Sequence, residues 1–233
     1  MNNCLSSNPH VISVHSFEDL IQVPFVADVN AACLVRSMKG DFHEVVANLT
    51  HLKQNINVIE IDDLLKLPLC EDGKLAVQQI ISDFNSLSDF GADPVLNLIR
   101  HYEQDVDNPG FPTDVYSWHV DRAPFVSSTF LCTYYGPASE IIPNAHVEQK
   151  ILVPDIRIEL RKLFGGNDTD FDAFLEENFY DLHYRAISDA QITNLGNGHL
   201  WRLACDSPDS ACLPCVHRAP LEKKGEVRLM MIC

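Results

Sequence analysis

The chain is short of positive charge. Its 233 residues carry 17 Lys and Arg against 33 Asp and Glu, a formal net charge of -16. No long basic block relieves the deficit; Glu222-Lys223-Lys224-Gly225-Glu226 is mixed in sign. Such a surface repels a phosphate backbone and excludes nucleic acid as a generic partner. Long apolar runs are missing too: none reaches the roughly 18 residues of a membrane helix. The segment Met1 to His10 has neither the basic nor the apolar region of a secretory leader. The expectation is therefore a soluble cytoplasmic protein without a membrane partner. The chain also has no internal repeat and no low-complexity segment.

What is present suits one domain, or one domain with an extension. An apolar fraction of 46% is ordinary for a protein with a real core. Eight cysteines (Cys4, Cys33, Cys70, Cys132, Cys205, Cys212, Cys215 and Cys233) are expected to be mostly reduced, given the missing leader. Cys33 and Cys132 lie in apolar runs, where a thiol packs as a small hydrophobe.

The first hundred residues read as mixed, with helix dominating. Ser16 caps a short helix over Phe17 to Ile21. Ala31 to Arg36 is a buried strand, Phe42 to Leu49 has helical spacing, and Asn57 to Ile61 is a strand before a helical turn at Asp62 to Leu67. Lys74 to Leu87 is the strongest helix, with Leu75, Ile80 or Ile81, Phe84 and Leu87 along one face. Asp93-Pro94 opens another, with Val95, Leu96, Leu98, Ile99 and Tyr102 following. The character changes at Asp105. Asp107 to Pro112 is a loop by composition, and Gly136-Pro137 and Gly196-Asn197-Gly198 are turns. Strand-like segments follow at Val115 to Val120, Phe125 to Tyr135, Glu140 to Pro143, Ala186 to Thr193, His199 to Ala204, Pro214 to Arg218 and Val227 to Ile232. A helical insertion covers about 155–180. The division predicted is 1–104, a mostly helical cap, and 105–233, a sandwich or small barrel of short strands, together one compact α+β unit.

Two residues carry the chemistry of His119-Val120-Asp121. Alternate strand residues share a face, so His119 and Asp121 project together while Val120 points away. His217 is placed to add a third ligand. Two histidines and one carboxylate are the donor set of a non-haem Fe(II) site with open positions. Arg228 stands in the apolar run Val227 to Ile232. A guanidinium buried there needs an anion, either a structural Asp or Glu or a bound acid. Thr133, Tyr134 and Tyr135 are candidate hydroxyl donors to such an acid. Alternation puts Thr133 and Tyr135 on one face and Tyr134 on the other, with the inward face left open. Trp118, Arg122 and Arg218 flank the ligands and are candidates for contacting substrate; plain salt bridges are the competing role for the arginines.

A second metal reading competes. Cys205, Cys212, Cys215 and His217 suit zinc, although a second Cys-x-x-Cys half is missing. Cys212 and Cys215 could instead form a redox pair. The other histidines, His183 among them, have no defensible partner spacing.

His119-x-Asp121, His217 and Arg228 resemble the Fe(II)/2-oxoglutarate-dependent oxygenases. More narrowly, Trp118 to Asp121, Thr133 to Pro137 and His217 to Pro220 resemble an uncharacterised bacterial family placed near them, over roughly residues 115 to 233. The resemblance implies a double-stranded β-helix core, of jelly-roll, cupin-like type. It implies Fe(II) on His119, Asp121 and His217, and 2-oxoglutarate paired with Arg228. It also implies consumption of dioxygen, with decarboxylation of 2-oxoglutarate to succinate as a small molecule is hydroxylated or desaturated. An amino acid or natural-product intermediate is the expected substrate class. The alternative is a non-catalytic cupin-like protein that handles or senses zinc or iron. Neither the substrate nor the oligomeric state is legible.

Overall fold

The computed structural model describes residues 8–106 and 110–233. Part of the loop expected at Asp107 to Pro112, and most of the segment Met1 to His10, lie outside these. In chain order the elements are β1 (Val11–Val14), α1 (Phe17–Gln22), β2 (Ala31–Leu34), α2 (Phe42–Leu49), β3 (Ile56–Val58), α3 (Ile61–Leu64), α4 (Glu71–Phe90) and β4 (Val95–Ile99). Then come β5 (Trp118–His119), β6 (Ser128–Tyr135), β7 (Glu140–Ile142), β8 (Val147–Gln149), α5 (Pro154–Phe164) and α6 (Phe171–Glu177). The chain closes with β9 (His183–Ala186), β10 (Thr193–Asn194), β11 (Leu200–Ala204), β12 (Val216–Arg218) and β13 (Arg228–Ile232). No helix among the described residues is long and apolar enough to cross a membrane.

The strands form two sheets in a mixed α+β architecture. The larger has seven strands in the order β1-β2-β11-β6-β13-β4-β3, the smaller six in the order β10-β7-β12-β5-β9-β8. All pairs are antiparallel except β1 with β2. Four of them nest like the rungs of one long folded hairpin: β4 with β13, β5 with β12, β6 with β11, and β7 with β10. Successive members alternate between the sheets, so the hairpin winds around a shared interior. The helical insertion lies inside the innermost rung, with β8 and β9 as its paired ends. The first hundred residues supply a helical layer and also four strands of the larger sheet.

Periodicity explains the faces. Phe130, Cys132 and Tyr134 of β6 point out to the helices and join Ala76, Val77, Ile80 and Leu87 of α4 in the largest apolar cluster. Leu131 points the other way, packing with Trp201 of β11 and with Ile141 and Cys215 from the smaller sheet. On the smaller sheet Trp118, Val120, Ile142 and Val216 form an outward cluster. The residues alternating with them face the interior.

Several expected elements stand: Ser16 caps α1 by accepting from the Asp19 N–H, and α2, α5 and α6 form where the spacing predicts. Others are corrected. The segment after Asp93-Pro94 is not a helix but β4, held between β13 and β3. Val-Leu-Asn-Leu-Ile is apolar enough for either state, and a place with a partner on both sides decides it. Leu75 is 44% exposed, so the buried stripe of α4 runs through Ala76, Val77, Ile80, Asp83 and Leu87. The strand expected over Ala186 to Thr193 splits: β9 ends at Ala186, and pairing resumes only at Thr193. Gly136 ends β6 at φ +87°, where a Cβ would come within 2.2 Å of the Val227 carbonyl oxygen. This glycine lets the strand end close on the start of β13.

Candidate metal centre

β5 and β12 pair at one residue: His119 stands directly opposite His217. Their imidazole centroids are 4.5 Å apart, with the planes at 54°. Asp121, two residues past His119, shares its face, and its Oδ2 lies 3.6 Å from His217 Nε2. One ligand atom from each of the three lies within 4.8 Å of the others. Among the described residues, no cysteine joins this group.

The surroundings prepare each donor. His119 Nδ1 lies 2.8 Å from the Ser117 carbonyl, and His217 Nδ1 lies 3.1 Å from the Cys215 carbonyl. A carbonyl only accepts, so each Nδ1 carries a proton, and in the neutral ring Nε2 is the nitrogen left for a metal. Burial, then the neighbouring His217, lowers the His119 pKa to about 4, which keeps it neutral. Burial alone would raise Asp121; the field of His217, a hydrogen bond from Thr129 and the field of His119 hold it below its ordinary value. Thr129 of β6 donates its hydroxyl to Asp121 Oδ2 at 2.5 Å, tying the carboxylate to the opposite sheet. A neutral His119 and an ionised Asp121 are protonation states that suit a divalent metal. The donor set fits such an ion.

A third histidine completes the row. His183 of β9 stands opposite His119 on its other side, with the rings 5.9 Å apart. Its Nδ1 lies 2.5 Å from the Ser117 hydroxyl. Burial, then His119, lowers its pKa to about 3.

Arg228 opens β13 wholly buried. Its Nη2 donates to the Ser139 hydroxyl at 3.0 Å and touches the Met230 sulfur at 3.2 Å. Its Nη1 lies 3.5 Å from Glu222 Oε1, and the two side chains are 0% and 2% exposed. Tyr116 donates to the other Glu222 oxygen at 2.8 Å. Burial lowers the Arg228 pKa against the fields of Tyr102 and Glu222. Arg228 Nε and Nη1, Glu222 Oε1 and Thr133 Oγ1 are all buried without a hydrogen-bond partner.

The other candidates fall elsewhere. Thr133 is buried on the interior side of β6, while Tyr134 faces the helices, stacked on Phe42 and donating to Asp83. Tyr135 does not follow Thr133 inward. A register shift between Leu229 and Met230 breaks the alternation, and Tyr135 packs with the helical layer beside His43. Arg218 pairs with Glu140 at 2.7 Å and covers Trp118 at 4.3 Å, both on the outward face of the smaller sheet. Arg122 pairs with Asp181 and Asp206 and lines an open recess of about 550 Å³. Cys215 is core, Cys205 touches the Thr129 hydroxyl at 3.6 Å, and Cys212 is half-buried beside Ser210. Sequence reasoning missed Thr129, Ser139, His183 and Glu222. Thr129 and His183 reach the metal ligands, and Ser139 and Glu222 reach Arg228, from elements distant in sequence, so no local spacing could mark them.

No protein-family model, curated protein or solved structure matches this chain.

Proposed function

We propose that the chain is an Fe(II)/2-oxoglutarate-dependent oxygenase that hydroxylates or desaturates a small molecule. The observation that carries this reading is the convergence of His119, Asp121 and His217 on one interior face, with both Nδ1 atoms held by backbone carbonyls. Two histidines and one carboxylate with open positions suit Fe(II) used with dioxygen. The nested strand pairs and two-sheet alternation support a jelly-roll core of the double-stranded β-helix type. Bound Fe(II) would let dioxygen act as the oxidant: one oxygen atom would go to 2-oxoglutarate as it loses CO2 to give succinate, and the other to the substrate on hydroxylation, or to water on desaturation.

The chain's own residues have separate tasks. His119, Asp121 and His217 hold the metal, and Thr129 keeps Asp121 ionised and oriented. Arg228, with the unpartnered Thr133 hydroxyl, meets the distal carboxylate of the acid. His183 and the insertion border the interior beside His119, where a small substrate would be oriented.

One observation favours a second reading. Arg228 already faces a carboxylate of its own chain, Glu222. A non-catalytic metal-binding protein of cupin type would need no acid there. Anaerobic addition of Fe(II) and 2-oxoglutarate separates the two. The oxygenase reading expects a weak visible metal-to-ligand charge-transfer band, with acid binding weakened in Arg228→Ala and metal binding retained. A metal-loaded protein with no band, and no succinate with any substrate, supports the second reading. Preferential turnover of a peptide or nucleic acid would overturn the small-molecule class.

A further inference from the structure

We propose that Glu222 is a displaceable counter-ion: a dicarboxylate co-substrate binds by taking the place of the Glu222 carboxylate on Arg228, and residues 220–226 move outward as it does. The inference rests on the oxygenase reading and deepens it, because it names the residue that sets which acids the anchor accepts.

Charge leads to it. Arg228 and Glu222 are both buried and together neutral. A further carboxylate beside them would leave one buried negative charge without compensation, which a low-dielectric interior strongly disfavours. The acid can therefore settle on Arg228 only if Glu222 leaves.

The present pairing is also loose. At 3.5 Å the two groups form a long ion pair, and Arg228 Nε and Nη1 and Glu222 Oε1 lack a well-formed hydrogen bond. Thr133 Oγ1 is a fourth orphan at the same interior. A carboxylate set closer to Arg228 would satisfy two guanidinium donors and leave Glu222 free to be hydrated outside.

The segment bearing Glu222 can move. It joins β12 to β13 over the surface: Leu221 is 68% exposed, and Lys223 and Lys224 are exposed beside it. Glu222 is held by its own side chain, through Tyr116, rather than by a strand ladder. Ala219 is anchored by its N–H to the Val115 carbonyl, and a Lys223–Glu226 turn with Gly225 at φ +89° lies beyond it. Outward, the Glu222 carboxylate would lie near two lysines.

The test uses the full chain loaded with Mn(II), which keeps the complex redox-silent. Calorimetry measures 2-oxoglutarate and, separately, 2-oxobutyrate, which lacks the distal carboxylate. Glu222→Gln and Glu222→Ala should each bind 2-oxoglutarate about tenfold or more tighter than the native chain, with 2-oxobutyrate and Mn(II) affinities little changed. In the native protein, 2-oxoglutarate should speed amide hydrogen exchange over 221–226, and 2-oxobutyrate should not. Equal or weaker 2-oxoglutarate binding by both variants, with unchanged exchange in the native chain, overturns the displacement while leaving the oxygenase reading intact. Binding of neither acid by any of the three proteins, all of them metal-loaded, overturns both.

Discussion

Two ion pairs, one largely and one wholly buried, lie on opposite faces of the larger sheet, and they are built differently. On the helical side Arg36 reaches Asp83 with two bonds of 2.5 Å, and Tyr134 and Gln79 donate to the same carboxylate. Arg36 Nε is satisfied by the Gly198 carbonyl. On the interior side Arg228 and Glu222 stand 3.5 Å apart with three of their polar atoms unpartnered. The first pair is a closed network that fastens α4 to β2 and β6. The second leaves donors open where an acid is expected. Buried charge is thus no single signal in this fold: saturation marks the fastening, and vacancy marks the candidate site.

The largest effect should come from breaking the saturated pair. Asp83→Ala leaves the Arg36 guanidinium buried without its carboxylate and should cost about 3–5 kcal/mol in chemical denaturation, with metal affinity unchanged. The loose pair should answer in the opposite sense. Replacing Arg228 and Glu222 together by Met and Leu should be neutral or stabilise the chain by about 1–3 kcal/mol, while removing 2-oxoglutarate binding. A comparable loss of stability in both experiments would erase the distinction.

Acidity probes the interior independently. His119 and His183 have folded-state pKa values near 4 and 3, both depressed from 6.5 mainly by burial. The unfolded chain therefore binds more protons between those values. The stability from their neutral forms is present above pH 6.5 and is lost as the pH falls toward 4 and 3. For the metal-free chain, urea midpoints should fall across this window, with a slope of up to about 1.4 kcal/mol per pH unit for each histidine. His183→Phe should flatten it; an unchanged slope would show that His183 does not contribute.

Thr129→Val removes the hydroxyl that orients Asp121 without changing side-chain volume much. It should weaken Fe(II) or Co(II) binding about tenfold, measured by competition with a chelator. The smallest effect is expected at Arg122. Its partly exposed pairs with Asp181 and Asp206 should yield under about 1 kcal/mol on Arg122→Ala, with no change in acid or metal binding.

The ligand face was legible because a strand's period of two makes His-x-Asp a two-donor unit, and Arg228 stood out as a charge within an apolar strand. Most helices were legible from period and caps, as at Ser16. The nested pairing was not, since β4 and β13 meet across more than a hundred intervening residues. Val95 to Ile99 has a composition that suits helix or strand, and only its neighbours decide. Tyr135 was misassigned because alternation assumes an unbroken ladder, and the shift at Leu229/Met230 exists only between strands. Glu222, in a stretch read as mixed surface charge, is buried because Tyr116 and Arg228 draw it in.

The most direct test of the central claim is metal stoichiometry by ligand set. Anaerobic Co(II) titration of the native chain, of His217→Ala and of a Cys212→Ser/Cys215→Ser double variant would read it. The account predicts one ion per chain in the native and double-serine proteins, with a spectrum lacking thiolate charge transfer, and loss of that ion in His217→Ala. Tight metal that survives Asp121→Ala but disappears with the two cysteines would contradict it.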